Sequence, residues 1–331
     1  MDTARTTAAV DPASIAGLFK GIVSVREENG FIMPLRLTEK QLERYKGIPR
    51  CCYPYATAGI KLDFITDADE IGFIYHTVNF WDWWEKGQPS FDIYENGRFA
   101  AFVPLVRAEQ APEAVHYTCK TPGPRRITIY FPHNAEVKIG APSFGRATPA
   151  PVSDRKFLIL GDSISQGLMG NSASFCYTAE LERFFDAELL NMSVGGDCFD
   201  RTALDPELPY RPTDVIVALG SNDVFFLKDL ELITANMKEY LGAVKELYGY
   251  ANITVITPPY LTNCDTDGAE QYAMNLIFSK EILAEGKRLG LRTVYGDDLV
   301  PHHTRFFSDT AHPNDLGFGQ YALHLIKCLL R

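Results

Sequence analysis

The sequence predicts an α/β protein: a parallel sheet with helices on both faces, preceded by a smaller β-sandwich domain. Three observations carry this. After residue 156, short continuous apolar runs alternate with helical stretches, the grammar of a parallel sheet covered on both faces. Before residue 150, apolar and polar residues alternate with period two, as in half-buried strands. Between them, the segment from Ala141 to Pro151 is rich in proline and small residues and reads as a linker. The boundary is set near residue 150, with a jelly-roll-like sandwich over 1–150 and the parallel α/β domain over 151–331.

In the first part, Ile60, Leu62 and Phe64 alternate with Lys61 and Asp63, and Ile127, Ile129 and Phe131 alternate with Arg126, Thr128 and Tyr130. Asn96-Gly97 sits between Phe91–Tyr94 and Phe99–Val103, a strong signal for a two-residue hairpin turn. In the second part, Phe157–Leu160 reads as the first buried strand, followed by a helix from Ser174 to Asp186. Strands follow at Leu189–Met192, Asp214–Leu219, Ile253–Ile256 and Arg292–Val294, with helices at Leu230–Tyr248, Ala269–Leu289 and Asn314–Leu330.

Composition narrows the class of function. The 331 residues are 46% hydrophobic and 22% charged, an ordinary globular balance. Thirty-two Lys+Arg against forty-two Asp+Glu leave a net charge of −10, which argues against nucleic acid or an anionic membrane as partner. There is no apolar run of about 18 residues to span a bilayer. The N-terminus lacks an apolar core segment, so no signal peptide is expected. Seven scattered cysteines, with Cys51-Cys52 the sole adjacent pair, do not form a disulfide framework or a zinc spacing. They are expected as reduced thiols of a cytoplasmic protein. Oligomeric state is not encoded in any of these features.

Ligands of open α/β sheets gather at the carboxyl ends of the strands, and there the sequence concentrates small and polar residues. Gly161-Asp162-Ser163 follows the first strand, Ser193-Val194-Gly195-Gly196-Asp197 the second, and Gly220-Ser221-Asn222-Asp223 the third. Asp309-Thr310-Ala311-His312 precedes the last helix. Each is an ordinary turn or cap on its own. Together they supply a hydroxyl nucleophile, oxyanion donors and an Asp/His pair.

These blocks resemble the SGNH (GDSL) hydrolases over residues 156–331. The resemblance maps the family's serine onto Ser163, its glycine onto Gly196, the residue directly before Asp197, its asparagine onto Asn222, and its Asp and His onto Asp309 and His312. It implies a flavodoxin-like sheet, and position 165 is Ser, which breaks the Gly-x-Ser-x-Gly elbow of α/β-hydrolases. Ser90-Phe91-Asp92-Ile93-Tyr94 is similar to the Gly-x-Asp-Leu-Tyr signature of a β-domain preceding one branch of these enzymes, departing at Ser90 and Ile93. The tail from His312 to Phe318 looks like the same branch.

The resemblance implies a cofactor-free serine esterase with a Ser163–His312–Asp309 triad. The oxyanion hole would be the N–H groups of Ser163 and Gly196 and the Asn222 amide. The branch suggests a short acyl group, acetyl above all, on a carbohydrate or small polyol. An acyltransferase using the same triad and an inactive carbohydrate-binding protein are the rivals. Three other features have plainer readings. The run Asp297, Asp298, His302, His303 lacks a helical metal-ligand pair. Cys198 is expected as a small buried group. The cluster Trp81, Trp83 and Trp84 could stack on a sugar, but sandwich packing is the simpler reading.

Overall fold

The structure, a computed structural model, describes residues 15–80, 89–106 and 112–331. The tryptophan cluster at 81–84 lies outside the described residues. The first half folds into strands β1 (Phe19–Lys20), β2 (Ser24–Glu28), β3 (Phe31–Leu35), β4 (Lys61–Thr66), β5 (Glu70–Phe80), β6 (Ser90–Glu95), β7 (Arg98–Pro104), β8 (Glu113–Thr118), β9 (Arg125–Tyr130), β10 (Ala135–Ser143) and β11 (Thr148–Pro149). They form two antiparallel sheets. One runs β1-β4-β9-β6-β7, with β11 also on β4, and the other β2-β3-β10-β5-β8. The alternation in β4 and β9 aims Leu62, Phe64, Ile127 and Ile129 into the space between the sheets. There Phe73, Phe91 and Phe131 meet at ring distances of 5.2–6.2 Å. Asn96 and Gly97 both take positive φ, 51° and 76°, the two left-handed residues that a right-twisted hairpin needs.

Two expectations for this half change. The Pro-rich segment is not a free linker: its first residues complete β10, and Thr148 and Pro149 pair with Ile65 and Phe64. Proline is tolerated there because β11 pairs on one side. The first half also contains a helix, Glu39–Lys46, started by a capping box in which Thr38 and Gln41 exchange hydrogen bonds. It buries Leu42 and Tyr45, which share one core with Met33, Leu35, Leu158, Leu190 and Val215. The segment after β3 therefore packs beneath a third, parallel sheet.

That sheet holds β12 (Lys156–Gly161), β13 (Glu188–Asn191), β14 (Asp214–Ala218), β15 (Asn252–Ile256) and β16 (Arg292–Val294), all parallel, in the order β13-β12-β14-β15-β16. This is the flavodoxin-like 2-1-3-4-5 winding, whose switch point lies between the first and third strands. Helices Tyr177–Phe184 and Asp315–Leu329 cover one face, and Leu230–Tyr248 and Ala269–Arg288 the other. The helix expected from Ser174 is split. A short 3-10 turn, Ala173–Phe175, ends at Cys176, whose extended backbone (ψ 146°) restarts the chain as an α-helix.

His133, from the loop after β9, is fully buried against the turn that follows Ser163; the Gln166 amide donates to its carbonyl at 3.3 Å. Burial pushes its imidazole down to about 4 from 6.5. The unfolded chain therefore binds a proton that the native state refuses between those values, and stability falls as pH drops through that window. The loss is on the order of 3 kcal/mol. Thermal melts should show a steeper fall from neutral to pH 4.5 in wild type than in His133→Phe. Parallel slopes would show that this imidazole is not refusing the proton.

Candidate active site

Ser163 is the first residue of a one-turn helix, Ser163–Gln166, directly after β12. Asp162 caps it by accepting the Ile164 N–H at 3.0 Å, and Gly167, at φ +99°, ends it in the left-handed region. Only glycine fits there, since a Cβ would run into the Cys176 sulfur. The short turn presents the Ser163 hydroxyl, half-buried, at the carboxyl edge of the sheet.

The loop between β16 and the last helix brings the Asp/His pair to it. His312 Nε2 lies 2.8 Å from Ser163 Oγ, and His312 Nδ1 lies 2.8 Å from Asp309 Oδ2. Asp309 Oδ1 accepts the backbone N–H groups of Ala311 and His312 at 2.8 and 2.7 Å. Burial would raise this carboxyl, but the hydrogen bonds and charge of His312 and the two N–H donors hold it below the usual carboxylate range. An ionised Asp309 requires Nδ1 to be the donor, so Nε2 is left as acceptor for the serine O–H. The loop is anchored on both sides: Thr262 N donates to Thr310 O, and Ser308 Oγ to Met169 O.

Gly195 and Gly196 separate clearly. The Gly195 N–H is spent on Gln166 Oε1 at 2.7 Å, and its carbonyl accepts the Cys52 N–H at 2.7 Å. Gly196 has φ +82°, and a Cβ there would collide with the Arg50 carbonyl. Its N–H meets no acceptor among the described residues. Asn222 stands half-buried at the end of β14 and gives one amide hydrogen to Asp197 O at 3.0 Å, which leaves the other free to donate.

The sequence reading missed what holds these loops. Arg36, 1% exposed, donates from Nε to Ala56 O (2.7 Å) and from one terminal nitrogen to Asn191 O (2.9 Å) and Ser193 O (2.7 Å). Its burial pulls the guanidinium down to about 10. Tyr45 and Arg44 reach the buried Asp197 carboxylate at 2.7 and 3.6 Å. Asp223, pushed up to about 7 by burial, accepts the Phe199 N–H. The one sequence signal was Arg36 itself, a cation inside the apolar run from Phe31 to Leu37.

The distractors sit elsewhere. Asp297 accepts from Tyr272 at 2.8 Å and pairs with His302 at 3.1 Å, and His302 stacks on Tyr260. His303 caps the next short turn with its own ring nitrogen. Among the described residues, no three His, Cys, Asp or Glu side chains gather at metal-binding distances. Cys198 is buried, its Sγ 3.9 Å from Gly196 O, and burial pushes the thiol well up. All seven cysteines are unpaired, and no described helix is long and apolar enough to cross a membrane.

Ser163, His312 and Asp309 thus form one hydrogen-bonded chain at the carboxyl edge of a parallel sheet, an arrangement by which an imidazole can activate a hydroxyl. Residues 159–319 match the model of the GDSL-like Lipase/Acylhydrolase family, so this part of the chain is a GDSL-like acylhydrolase domain. None of the curated proteins matches the sequence. Solved structures share the whole architecture. A salicylyl-acyltransferase, SsfX3, from a tetracycline biosynthetic pathway has a TM-score of 0.80 at 18% identity, covering 94% of this chain and 93% of its own. A family two carbohydrate esterase from Clostridium thermocellum, in complex with cellohexaose, has a TM-score of 0.62 at 16% identity, covering 90% and 97%. An acetyl xylan esterase (Est2A) from Butyrivibrio proteoclasticus has a TM-score of 0.61 at 15% identity, covering 94% and 98%. At these identities the likeness shows the fold, β-rich first half included.

Proposed function

We propose that this protein is a serine esterase that removes short acyl groups, chiefly acetyl, from a carbohydrate or other small polyol. The observation that carries it is the chain of two 2.8 Å hydrogen bonds from Ser163 through His312 to Asp309. Residues 1–150 would be the sandwich domain and 151–331 the catalytic domain, in a cytoplasmic protein whose seven cysteines stay reduced.

In this reading His312 Nε2 takes the Ser163 proton as Oγ bonds to the ester carbonyl carbon. The carbonyl π electrons move to oxygen, and the alkoxide is met by the N–H groups of Ser163 and Gly196 and the free amide hydrogen of Asn222. Collapse breaks the bond to the alcohol oxygen, which leaves with the proton from His312. Water then attacks the acyl-serine, giving its proton to His312, and the carboxylic acid and Ser163 are released. Asp309 keeps the imidazole in the tautomer that accepts the serine proton and stabilises the imidazolium.

A carbohydrate alcohol is supported by the fold shared with the family two carbohydrate esterase and the acetyl xylan esterase. Transfer to an acceptor alcohol is the second reading, supported by the shared fold of the salicylyl-acyltransferase. The intact set of five residues speaks against an inactive binding protein. Purified protein should be assayed on chromogenic esters from acetyl to octanoyl and on acetylated sugars, with and without a competing alcohol. The expected result is acetate release, with kcat/KM falling at least about tenfold along the series. A preference for octanoyl, or no ester turned over, overturns the proposal. An acyl product on the alcohol at the expense of free acetate makes the protein a transferase.

A further inference from the structure

Next to the loop that carries Gly196, a cavity of about 350 Å³ opens between the short turn Arg201–Ala203 and the start of helix Leu230–Tyr248. Its walls include Arg50, Cys198, Phe199, Leu227 and Asn236. This volume falls within the range of small-molecule sites. It borders the site on two sides: the Arg50 carbonyl packs on Gly196, and Leu227 ends the π-helical turn that starts directly after Asn222.

Two cations and two carboxylates line it, Arg50 and Arg201 with Asp200 and Glu239, and both carboxylates already have partners. Asp200 is taken by Arg44 at 2.8 Å, and Glu239 faces Arg201 at 3.7 Å. Arg50 has no carboxylate within ion-pair distance among the described residues, and its Nε is shut off from solvent without an acceptor. Other guanidiniums with little exposure differ. Arg36 spends its donors on four carbonyls, and Arg125 and Arg183 each face a carboxylate. Arg50 is half-buried on the cavity wall, and the planar fork of a guanidinium fits the two oxygens of a carboxylate or phosphate. In a chain of net charge −10, such an unpaired cation beside the site is a selective feature.

We infer that this cavity receives the alcohol part of the ester and that Arg50 binds an anionic group on it, a carboxylate or a phosphate. The inference rests on the esterase reading in one respect: with a short acyl group, the portion reaching past the Gly196 loop is the alcohol. It narrows the substrate from any acetylated polyol to an acetylated acidic sugar or sugar phosphate.

Three monoacetylated substrates test it: a glucoside, the matching glucuronide and the glucose 6-phosphate. Wild type should favour at least one anion over the glucoside, and which one identifies the source of the charge. In Arg50→Gln the ratio of kcat/KM, anionic over neutral, should fall at least about tenfold, mainly through KM. Arg50→Lys should keep part of it. Asn236→Asp, which adds a carboxylate to the cavity lining, should lower the same ratio. A wild-type ratio near one, or a ratio unchanged in Arg50→Gln, overturns the inference. Calorimetry with free glucuronate, glucose 6-phosphate and glucose separates it from the esterase reading. Anion binding lost in Arg50→Gln supports the cavity even if no ester is cleaved. Anions bound no better than glucose by an active esterase overturn the cavity alone.

Discussion

Ser163→Ala is expected to lower kcat for ester hydrolysis by about 10⁵–10⁶-fold and to leave the protein folded. The substitution removes one half-buried hydroxyl, while the Asp162 cap and the glycine that ends the turn remain. His312→Ala should cost nearly as much, because without Nε2 at 2.8 Å the serine keeps its proton. Asp309→Asn keeps an oxygen for the two backbone donors but can turn an amide toward Nδ1, which selects the wrong tautomer. A drop of about 10⁴-fold is expected for it. Steady-state kinetics on an acetyl ester, with circular dichroism of each variant, checks all three. A Ser163→Ala enzyme within tenfold of wild type, with an unchanged spectrum, would falsify the nucleophile assignment. Activity lost to a chelator and restored by a divalent ion would point instead to the Asp/His loop as a metal site.

The parts legible in the sequence are those whose cause is local. Strands β12, β14 and β15 are apolar runs of four to six residues because both faces are covered. The turn after each strand needs small or capping residues whatever the substrate. Ser163, Gly196, Asn222, Asp309 and His312 fall in such turns, so their spacing along the chain already reports their place in the sheet. What was not legible depends on partners far away in sequence. Tyr45 meets Asp197 across 152 residues and Arg36 meets Ser193 across 157, and no periodicity announces such pairs. The helix Glu39–Lys46 is short and charged, and its buried face is completed by the distant parallel sheet. The segment from Ala141 to Pro151 has loop composition, but its first three residues end the nine-residue β10, which is held against β5, and pairing overrode propensity.

These distant contacts assign the first half of the chain a physical task. Arg36, Cys52 and the Arg50 carbonyl all converge on the stretch from Asn191 to Gly196. A loop carrying an unpaired N–H must be held open for substrate while its other polar groups are satisfied. Here the satisfaction comes from residues that precede β4, so the sandwich half braces one wall of the site as well as flanking it.

The second large effect is expected at Asn222. Its amide donates to Asp197 O, so a bracing role competes with an oxyanion role, and the two leave different kinetic traces. A donor that acts mainly in the transition state should, when removed in Asn222→Ala, cost about 10²–10³ in kcat with little change in KM. A brace would lower the melting temperature and move kcat and KM together. Asn222→Asp should be at least as damaging. A carboxylate there would face the developing alkoxide and join Asp162, Asp197 and Asp223, three neighbouring acids that burial already pushes up. Kinetics on a short acyl ester for both variants, with melts alongside, decides between the roles. A kcat within threefold of wild type in Asn222→Ala would remove this side chain from the oxyanion hole and leave the alkoxide to the N–H groups of Ser163 and Gly196.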